Sequence, residues 1–295
     1  MSQDELLTAS APDAGIAFVA GITTALVREA QSRHALAPTA SAAVGRLATA
    51  AALLGTALKG SERLSLQIGG DGPIGALSAE SWLRDGGVAV RARARTPGAD
   101  LPLNARGKFD VAGLIGSGAL QVTRSFDVGQ PYVGVVPLLT GEVAEDVASY
   151  LAQSEQIPSV VALGVLANPD GIVAAGGILA QVLPGADERA IAALEARALA
   201  LPSVTSLVAG GADAASLLAA IAGDLPLRAR RTLPVRFDCL CTREKVEIAL
   251  LGLGADELRQ MAAQNARSDA ACEFCRKTYA FTSEQLDTLA SKFDA

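Results

Sequence analysis

The pattern of hydrophobic and polar positions predicts two helices near the start of the chain. Residues 13–33 repeat apolar side chains at the spacing of an amphipathic helix. The alanine-rich stretch 39–59, which follows Pro38, predicts a second helix that can pack closely against its neighbours. His34 lies between them, and we interpret this single histidine as a helix-end or hinge residue rather than a catalytic group.

Apolar and polar residues then begin to alternate, which is typical of half-buried strands. The first strand is predicted at Arg63–Ile68, and the second begins after the turn Gly69–Pro73 and ends near Trp82. Further strands are predicted at Val88–Ala94, Ala119–Phe126, Tyr132–Leu138, Val160–Ala167 and Ile172–Leu183. The turn Gly69–Pro73 lacks the lysine and hydroxyl of a phosphate loop, so we interpret it as a hairpin turn. Gly176 and Gly177 predict a bulge or a close backbone contact.

A helix is predicted to start at a Thr140 cap and to run toward Gln153, with Pro158 after its end. Ser154 and Glu155 could be imagined as a nucleophile and base, but we interpret them as a helix-end turn because no nucleophile-elbow motif surrounds the serine. Since strands and helices occur without regular βαβ alternation, the predicted fold class is α+β.

The chain is predicted to divide into three parts. Residues 1–184 form an N-terminal mixed helix and sheet domain, and residues 185–235 form a helical linker with helices at 187–201 and 214–221. The linker ends in a run of arginines that we interpret as a solvated connector: Arg228, Arg230, Arg231 and Arg236. Residues 236–295 form a small C-terminal domain with all four cysteines.

Composition narrows the classes of partner. Hydrophobic residues make up 50% of the chain, so a large core is available, whereas aromatic residues make up only 4%. The net charge of −6 argues against broad affinity for nucleic acid or for anionic membrane. The chain has neither an apolar run of bilayer length nor a secretory signal pattern, so we expect a soluble, cytoplasmic protein.

The four cysteines form two close pairs, Cys239-Leu240-Cys241 and Cys272-Glu273-Phe274-Cys275. Three interpretations compete: a tetrahedral zinc site, a disulfide staple, and a catalytic dithiol. Zinc is favoured because two ligand pairs joined by one loop commonly build a four-thiolate tetrahedron. A staple would require an oxidising compartment, and a thioredoxin-like dithiol would leave Cys239 and Cys241 without a role.

Energetics suggest that such a site would act as a switch. Structural zinc contributes about 10 to 16 kcal/mol of apparent binding free energy, whereas a core of this size rarely supplies more than about 3 to 5 kcal/mol. Disulfides between neighbouring cysteines would close only very small loops, which stabilise little. Arg243, Arg276 and Lys277 are expected to create positive surroundings that favour thiolates. Loss of the metal is therefore expected to loosen the segment.

Several motifs resemble the heat-shock protein 33 family of chaperones. The cysteine pattern, followed by Tyr279 and Phe281, resembles that family's C-terminal redox switch. Motifs that resemble its N-terminal domain occur in the same order: Gly70-Asp71-Gly72-Pro73, Gln130-Pro131-Tyr132-Val133-Gly134, Ser154-Glu155-Gln156 with Pro158, and Gly176-Gly177 through Gln181, Leu183, Pro184 and Gly185. The resemblance covers nearly the whole chain.

The resemblance implies an ATP-independent holdase of the bacterial cytoplasm, not an enzyme. It implies one zinc per chain on Cys239, Cys241, Cys272 and Cys275 in an inactive reduced state. Oxidation would then form the disulfides Cys239–Cys241 and Cys272–Cys275, release zinc and unfold the switch and linker. The active form, typically a homodimer, would bind unfolded or partly unfolded client proteins through residues 1–184.

Two departures from the family qualify this interpretation, and one is a linker that is more alanine-rich than expected. Arg276 follows the last cysteine, where the family often has glycine, and a left-handed backbone there would cost about 1 kcal/mol.

The alternative function is a structural four-cysteine zinc module that binds nucleic acid or a protein partner through the arginine run. An enzyme is a third possibility, but four thiolates leave zinc no open position. Beyond the cysteines, Thr282 and Gln285 predict a capping box.

Overall fold

The computed structural model describes residues 4–293, which divide into two compact units at Asp238 and Cys239. The first unit is built on ten strands: β1 (Glu5–Ala11), β2 (Ile16–Ile22), β3 (Arg63–Gly70), β4 (Ala76–Arg84), β5 (Gly87–Ala94), β6 (Gly118–Ser125), β7 (Tyr132–Pro137), β8 (Ser159–Asn168), β9 (Gly171–Val182) and β10 (Arg228–Phe237). Its helices are α1 (Thr24–His34), α2 (Pro38–Gly55), α3 (Val111–Ile115), α4 (Val143–Gln153), α5 (Glu188–Ala200), α6 (Val204–Ala209) and α7 (Ala214–Ala222). The predicted α+β class is confirmed.

All ten strands join one sheet in the order β7-β6-β3-β4-β5-β10-β1-β2-β9-β8. Only the β5–β10 pair is parallel, and it spans just Val235–Phe237 against Val88–Val90. The predicted strands from Arg63 to Leu183 are confirmed, with ends that differ by a few residues. This short contact joins strands β3 to β7, which are continuous along the chain, to a second group made of β1 and β2 together with β8, β9 and β10.

Helix α2 fills the core on one side of the sheet. All of its residues except Pro38 and Arg46 are buried, as its alanine-rich sequence predicts. Small side chains permit this close approach: a Cβ at Gly45 would come within 2.6 Å of Val27, and one at Gly55 within 2.7 Å of Ser81. A Cβ at Gly176 of β9 would come within 2.7 Å of the backbone oxygen of Gly21, which confirms the predicted close backbone contact. A Cβ at Gly177 would come within 2.9 Å of the Leu53 side chain in α2.

The helices α5 to α7 cover the opposite face of β1, β2 and β9. Leu194, Leu217 and Ile221 are buried against Phe18 and Ile178. Helix α6 was not predicted, although Ser203 caps it by accepting a hydrogen bond from the backbone N–H of Ser206. The separation of residues 185–235 as a linker, and the domain limits at 184 and 236, stay predictions.

The predicted helix over residues 13–33 is wrong in its first half. Residues 16–22 form β2, between β1 and β9, and α1 begins only at Thr24. Ile16, Val19 and Ile22 have helical spacing, but Ile16 and Phe18 also fit the alternation of a strand, and pairing on both sides decides in favour of the strand. His34 is the buried last residue of α1, in agreement with its interpretation as a helix-end residue.

Two other interpretations require correction. The arginine run is not a solvated connector but most of β10, where Leu233 and Val235 point inward and the backbone pairs with β1. Thr140 is not the cap of α4, which begins at Val143. Instead Asp146 accepts hydrogen bonds from the backbone N–H groups of Leu139 and Thr140, at 2.7 and 3.1 Å.

The turn at Gly69–Pro73 cannot cradle a phosphate. The backbone N–H of Asp71 donates to Ser117 O at 3.0 Å, and that of Gly72 donates to Ile115 O at 2.9 Å. A Cβ at Gly70 would lie 2.0 Å from Ile115 O, so the glycine permits the close approach of the two chain segments. The hairpin interpretation is confirmed.

The second unit contains α8 (Arg243–Leu251), α9 (Ala255–Gln264), β11 (Arg267–Ala271), β12 (Thr278–Thr282) and α10 (Ser283–Ser291). Strands β11 and β12 pair antiparallel, and the capping box of Thr282 and Gln285 at the start of α10 is confirmed. Leu286 and Leu289 face the small core, as predicted. Within residues 4–293, no helix combines the length and apolar composition needed to span a bilayer.

Candidate metal centre

Cys239 and Cys241 lie in the segment that leads into α8. Thr242 caps that helix by accepting a hydrogen bond from the backbone N–H of Lys245 at 3.3 Å. The Lys245 ammonium reaches back and donates to Leu240 O at 2.8 Å. These two contacts hold the residue between the cysteines against the first turn of α8, which fixes the short Cys-x-Cys segment.

Cys272 and Cys275 lie in the turn that joins β11 to β12. The backbone N–H of Cys272 donates to Lys277 O at 2.9 Å, and that of Arg276 donates to Cys272 O at 2.8 Å. Arg276 adopts a left-handed conformation with φ of 60°. The turn therefore has the backbone form expected after the last cysteine, and an arginine occupies the position that favours glycine.

The four sulfur atoms converge, although the two pairs are far apart in sequence. Cys239 Sγ lies 3.8 Å from Cys272 Sγ, and Cys241 Sγ lies 3.3 Å from Cys275 Sγ. All four lie within 4.8 Å of one another, and none of them is in a disulfide. A tetrahedron of thiolates at 2.3 Å from zinc has edges of about 3.8 Å. The cysteines are thus close enough to hold one metal ion, while their assignment as ligands stays a prediction.

The electrostatics of the cluster favour a bound cation. Burial raises the pKa of the Cys275 thiol, and the nearby Cys241 raises it further, against an opposing hydrogen bond from the Lys277 backbone. Thiolates this close would repel one another without a positive charge between them. A metal ion inverts that balance because a coordinating thiol is deprotonated outright. The donor set therefore fits a thiophilic ion in a closed site.

The basic residues near the cysteines have other contacts. The Arg243 guanidinium donates to Ala280 O and to Gln285 Oε1, both at 2.9 Å. It also lies 4.3 Å from the centre of the Phe281 ring and 3.3 Å from Glu247. Arg243 thus ties α8 to β12 and α10. The described contacts show it as a structural link rather than as a partner of the sulfur atoms.

Tyr279 contributes a polar contact to the cluster that the sequence pattern did not reveal. Its hydroxyl lies 3.2 Å from both Cys241 Sγ and Cys241 O. The contact with Cys241 raises the pKa of Tyr279, and burial adds to the shift. Alternation along β12 places Tyr279 and Phe281 on the core side, but only the folded structure shows where the hydroxyl points.

Ser154 and Glu155 are engaged with tyrosines, in agreement with their interpretation as a structural turn. Ser154 Oγ lies 2.9 Å from the Tyr132 hydroxyl, and Tyr150 donates to Glu155 Oε1 at 3.1 Å. Burial, followed by the Glu155 charge, raises the pKa of Tyr150. These contacts fasten the end of α4 to β7.

Comparisons with known proteins agree across almost the whole chain. A family model described as Hsp33 protein matches residues 4–282. A 33 kDa chaperonin of Bacillus licheniformis is 41% identical over 288 residues, covering 97% of this chain and 98% of that protein. One from Acaryochloris marina is 42% identical over 290 residues, covering 97% and 96%. The crystal structure of a 33 kDa chaperonin, a heat shock protein 33 homologue, from Thermotoga maritima superposes with a TM-score of 0.93 at 35% identity over the whole of both chains.

Proposed function

Because this chain belongs to the Hsp33 protein family, we propose that it is a redox-regulated, ATP-independent holdase chaperone. The observation that carries the proposal is the convergence of four cysteine sulfur atoms, none of them in a disulfide, in a small second unit. In the reduced state, Cys239, Cys241, Cys272 and Cys275 hold one zinc ion and the chaperone is inactive. No enzymatic reaction is part of the proposal.

Oxidation is the activating event in this proposal. Two thiols and one hydrogen peroxide give one disulfide and two waters, so two equivalents of peroxide oxidise all four cysteines. The family resemblance favours the pairs Cys239–Cys241 and Cys272–Cys275. Since thiolates are the zinc ligands, disulfide formation removes the metal and its contribution to folding. The second unit then unfolds, together with the adjoining linker.

The pairing of the cysteines determines whether oxidation loosens the unit or fastens it. The cross pairs Cys239–Cys272 and Cys241–Cys275 have sulfur atoms at 3.8 and 3.3 Å, and each would close a loop of more than thirty residues. Such a loop would stabilise the unit by about 4 kcal/mol, roughly twice the contribution of a disulfide within a pair. Disulfides within the pairs support a switch, whereas cross pairs would make a staple.

The partners follow from the family. A chaperone binds unfolded or partly unfolded client proteins, and we propose that residues 1–184 carry this surface and the contacts of a homodimer formed on oxidation. We place the protein in the cytoplasm, where a reducing environment keeps such thiols free. Neither nucleic acid nor membrane is proposed as a partner.

The alternative, a zinc module that binds nucleic acid, has less support. Arg228 lies 3.4 Å from Asp13, and Arg236 lies 2.5 Å from Asp85. These carboxylates reduce the positive field of the arginine run, in a chain whose net charge is −6. Binding to RNA or DNA that weakens steeply with salt would instead support this alternative.

The test measures zinc content and suppression of a client's thermal aggregation on one sample, before and after peroxide at raised temperature. We expect one zinc per chain, released in step with gained activity. A variant with serine at all four cysteine positions is the control, because peroxide should then change neither quantity. Retention of zinc through oxidation, with unchanged client aggregation, would leave a purely structural site. Peptide mapping without reductant identifies the disulfide pairs.

A further inference from the structure

Tyr279 of β12 has a hydroxyl that its packing role does not require. The side chain is only 7% exposed and belongs to the core of the second unit. Phe281, two residues further along the same strand, is buried on the same face without any hydroxyl. The hydroxyl of Tyr279 therefore marks a polar function inside an apolar cluster, and its partner is Cys241.

The geometry allows the Tyr279 hydroxyl to donate to sulfur while it stays fixed in place. Its oxygen lies 3.2 Å from Cys241 Sγ and 3.2 Å from Cys241 O. The hydroxyl has one proton and cannot donate fully to both acceptors. The contact with the Cys241 carbonyl keeps the Tyr279 ring in position when the sulfur moves. Lys277 Nζ lies 5.1 Å from the centre of the ring and adds a contact on its face. The hydroxyl is thus held at the thiol by the surrounding structure.

A donor at this position changes how the sulfur reacts. The thiolate is the nucleophile in attack on peroxide or on an alkylating agent. A hydrogen bond to an ionised acceptor is stronger than a neutral one, and it withdraws electron density from the sulfur lone pairs. Groups that bind the ligands of a metal ion also tune the ligands themselves.

We propose that Tyr279 is a positioning residue that restrains the reactivity of Cys241. The inference rests on the proposed function, because it takes the four cysteines as the ligands of one metal ion. While the hydroxyl donates to Sγ, attack of the thiolate on peroxide, which gives a sulfenic acid and hydroxide, is slowed. Movement of β12 away from the Cys241 segment removes the restraint, so reactivity at this cysteine follows the integrity of the fold.

The test is site-resolved alkylation of the reduced, zinc-loaded full chain with limiting iodoacetamide. Each event joins the reagent's carbon to one thiolate sulfur and releases iodide, so no disulfide forms. Mass spectrometry of singly alkylated chains shows which cysteine reacts first. In Tyr279→Phe we expect the alkylation rate of Cys241 relative to Cys272 to rise about tenfold, which corresponds to about 1.4 kcal/mol.

Two control variants separate this effect from general loosening of the unit. Tyr132→Phe removes a hydroxyl that lies 2.9 Å from Ser154 Oγ in the first unit, so it should leave the ratio unchanged. Leu286→Val loosens the core that Tyr279 shares, and it should raise the reactivity of the cysteines together. If Tyr279→Phe behaves like either control, the proposal is overturned.

A spectroscopic measurement tests the same bond without any covalent chemistry. In the cobalt(II)-substituted protein, loss of a donor to a thiolate raises the energy of the sulfur electrons. We expect the sulfur-to-cobalt charge-transfer band of Tyr279→Phe to move to longer wavelength, and that of Tyr132→Phe to stay in place. An unmoved band in Tyr279→Phe contradicts the proposal. Neither readout uses chaperone activity, so a selective change at Cys241 would stand even if oxidation failed to activate the protein.

Discussion

The two units of this protein differ in what holds them together. In the first unit, a ten-stranded sheet has helices on both faces, and α2 is buried along almost its whole length. In the second, among the described residues 239–293, the core cluster contains seven buried residues beside the cysteines: Leu250, Leu258, Tyr279, Phe281, Leu286, Leu289 and Ala290. From the sizes of these cores, we expect apolar burial to be sufficient for the first unit and the second unit to depend on a metal ion bound by its four thiols.

In the switch that we propose, this difference would let a redox event act on part of the chain. The thiols all lie in the unit with the small core, so a change in their bonding acts where the stability margin is smallest. A metal site in the first unit would contribute to a fold that is already stable without it. The following predictions test whether the two units are independent in this way.

Removal of the metal should produce the largest difference between the units. Treatment of the reduced protein with a chelator takes away about 10 to 16 kcal/mol of apparent binding free energy from a core that supplies about 3 to 5 kcal/mol. We expect amide hydrogen exchange in residues 239–293 to rise to the level of an unfolded chain, while protection in β3, β4 and α2 persists. Unchanged protection in residues 239–293 would show that the core of the second unit keeps it folded without a metal ion.

A matched pair of leucine truncations should show the same difference at smaller scale. Leu286 and Leu53 are both fully buried, one in each unit. Each Leu→Ala substitution removes about 2 to 5 kcal/mol. If folding of the second unit is coupled to zinc binding, as we propose, Leu286→Ala should weaken zinc affinity by at least about 30-fold. Leu53→Ala should lower the melting temperature of the first unit and leave zinc affinity unchanged, as measured by competition with a chelating dye.

Asp4 offers a test confined to the first unit. Thr23 makes no side-chain capping bond for α1, and the Asp4 carboxylate instead accepts from the backbone N–H groups of Ala25 and Leu26, at 3.0 and 2.7 Å. Asp4→Ala should therefore cost about 1 to 2 kcal/mol in thermal unfolding of this unit. Zinc affinity should stay unchanged, and an equal loss in both units would contradict their independence.

The pH dependence of the Asp4 effect has a defined sign. Burial raises the pKa of Asp4 above its usual 3.8, so the folded state binds the proton more tightly than the unfolded state. The stabilisation from protonation is complete below 3.8 and is lost as the pH rises through the higher folded pKa. Relative to Asp4→Asn, which does not titrate, the wild type should gain stability as the pH falls through this window.

The sequence predicted the elements whose signal is local. Strands such as β3 show alternation, β8 and β9 are apolar runs on either side of a turn, and α2 shows a long alanine-rich pattern, so each is visible within its own segment. Strand β2 was missed because Ile16, Val19 and Ile22 satisfy helical spacing, and only the neighbouring strands β1 and β9 decide in favour of a strand. Strand β10 was missed because its arginines outnumber the two inward-facing residues Leu233 and Val235, which leaves the apolar pattern weak. Its partner strands are also distant in sequence.

The candidate site divides in the same way. The cysteine spacing predicted which residues would converge, because ligand pairs in one small segment have few other ways to meet. The direction of the Tyr279 hydroxyl depends on the packing of β12 against the Cys241 segment, which no local pattern contains. The contacts of Arg243 with Gln285 and Glu247, and of Lys277 with the Tyr279 ring, depend on the same packing. The positive surroundings expected for the thiolates stay a prediction.

The smallest expected effect concerns Arg276, which holds a left-handed backbone with φ of 60° directly after Cys275. Glycine adopts this conformation without steric cost. We therefore expect Arg276→Gly to stabilise the second unit by up to about 1 kcal/mol, which would tighten zinc binding by up to about fivefold. Arg276→Ala keeps the steric cost and removes the guanidinium, so it separates backbone strain from charge. If the alanine and glycine variants bind zinc equally, charge is responsible; if only glycine tightens binding, the arginine keeps the turn strained and makes the metal easier to release.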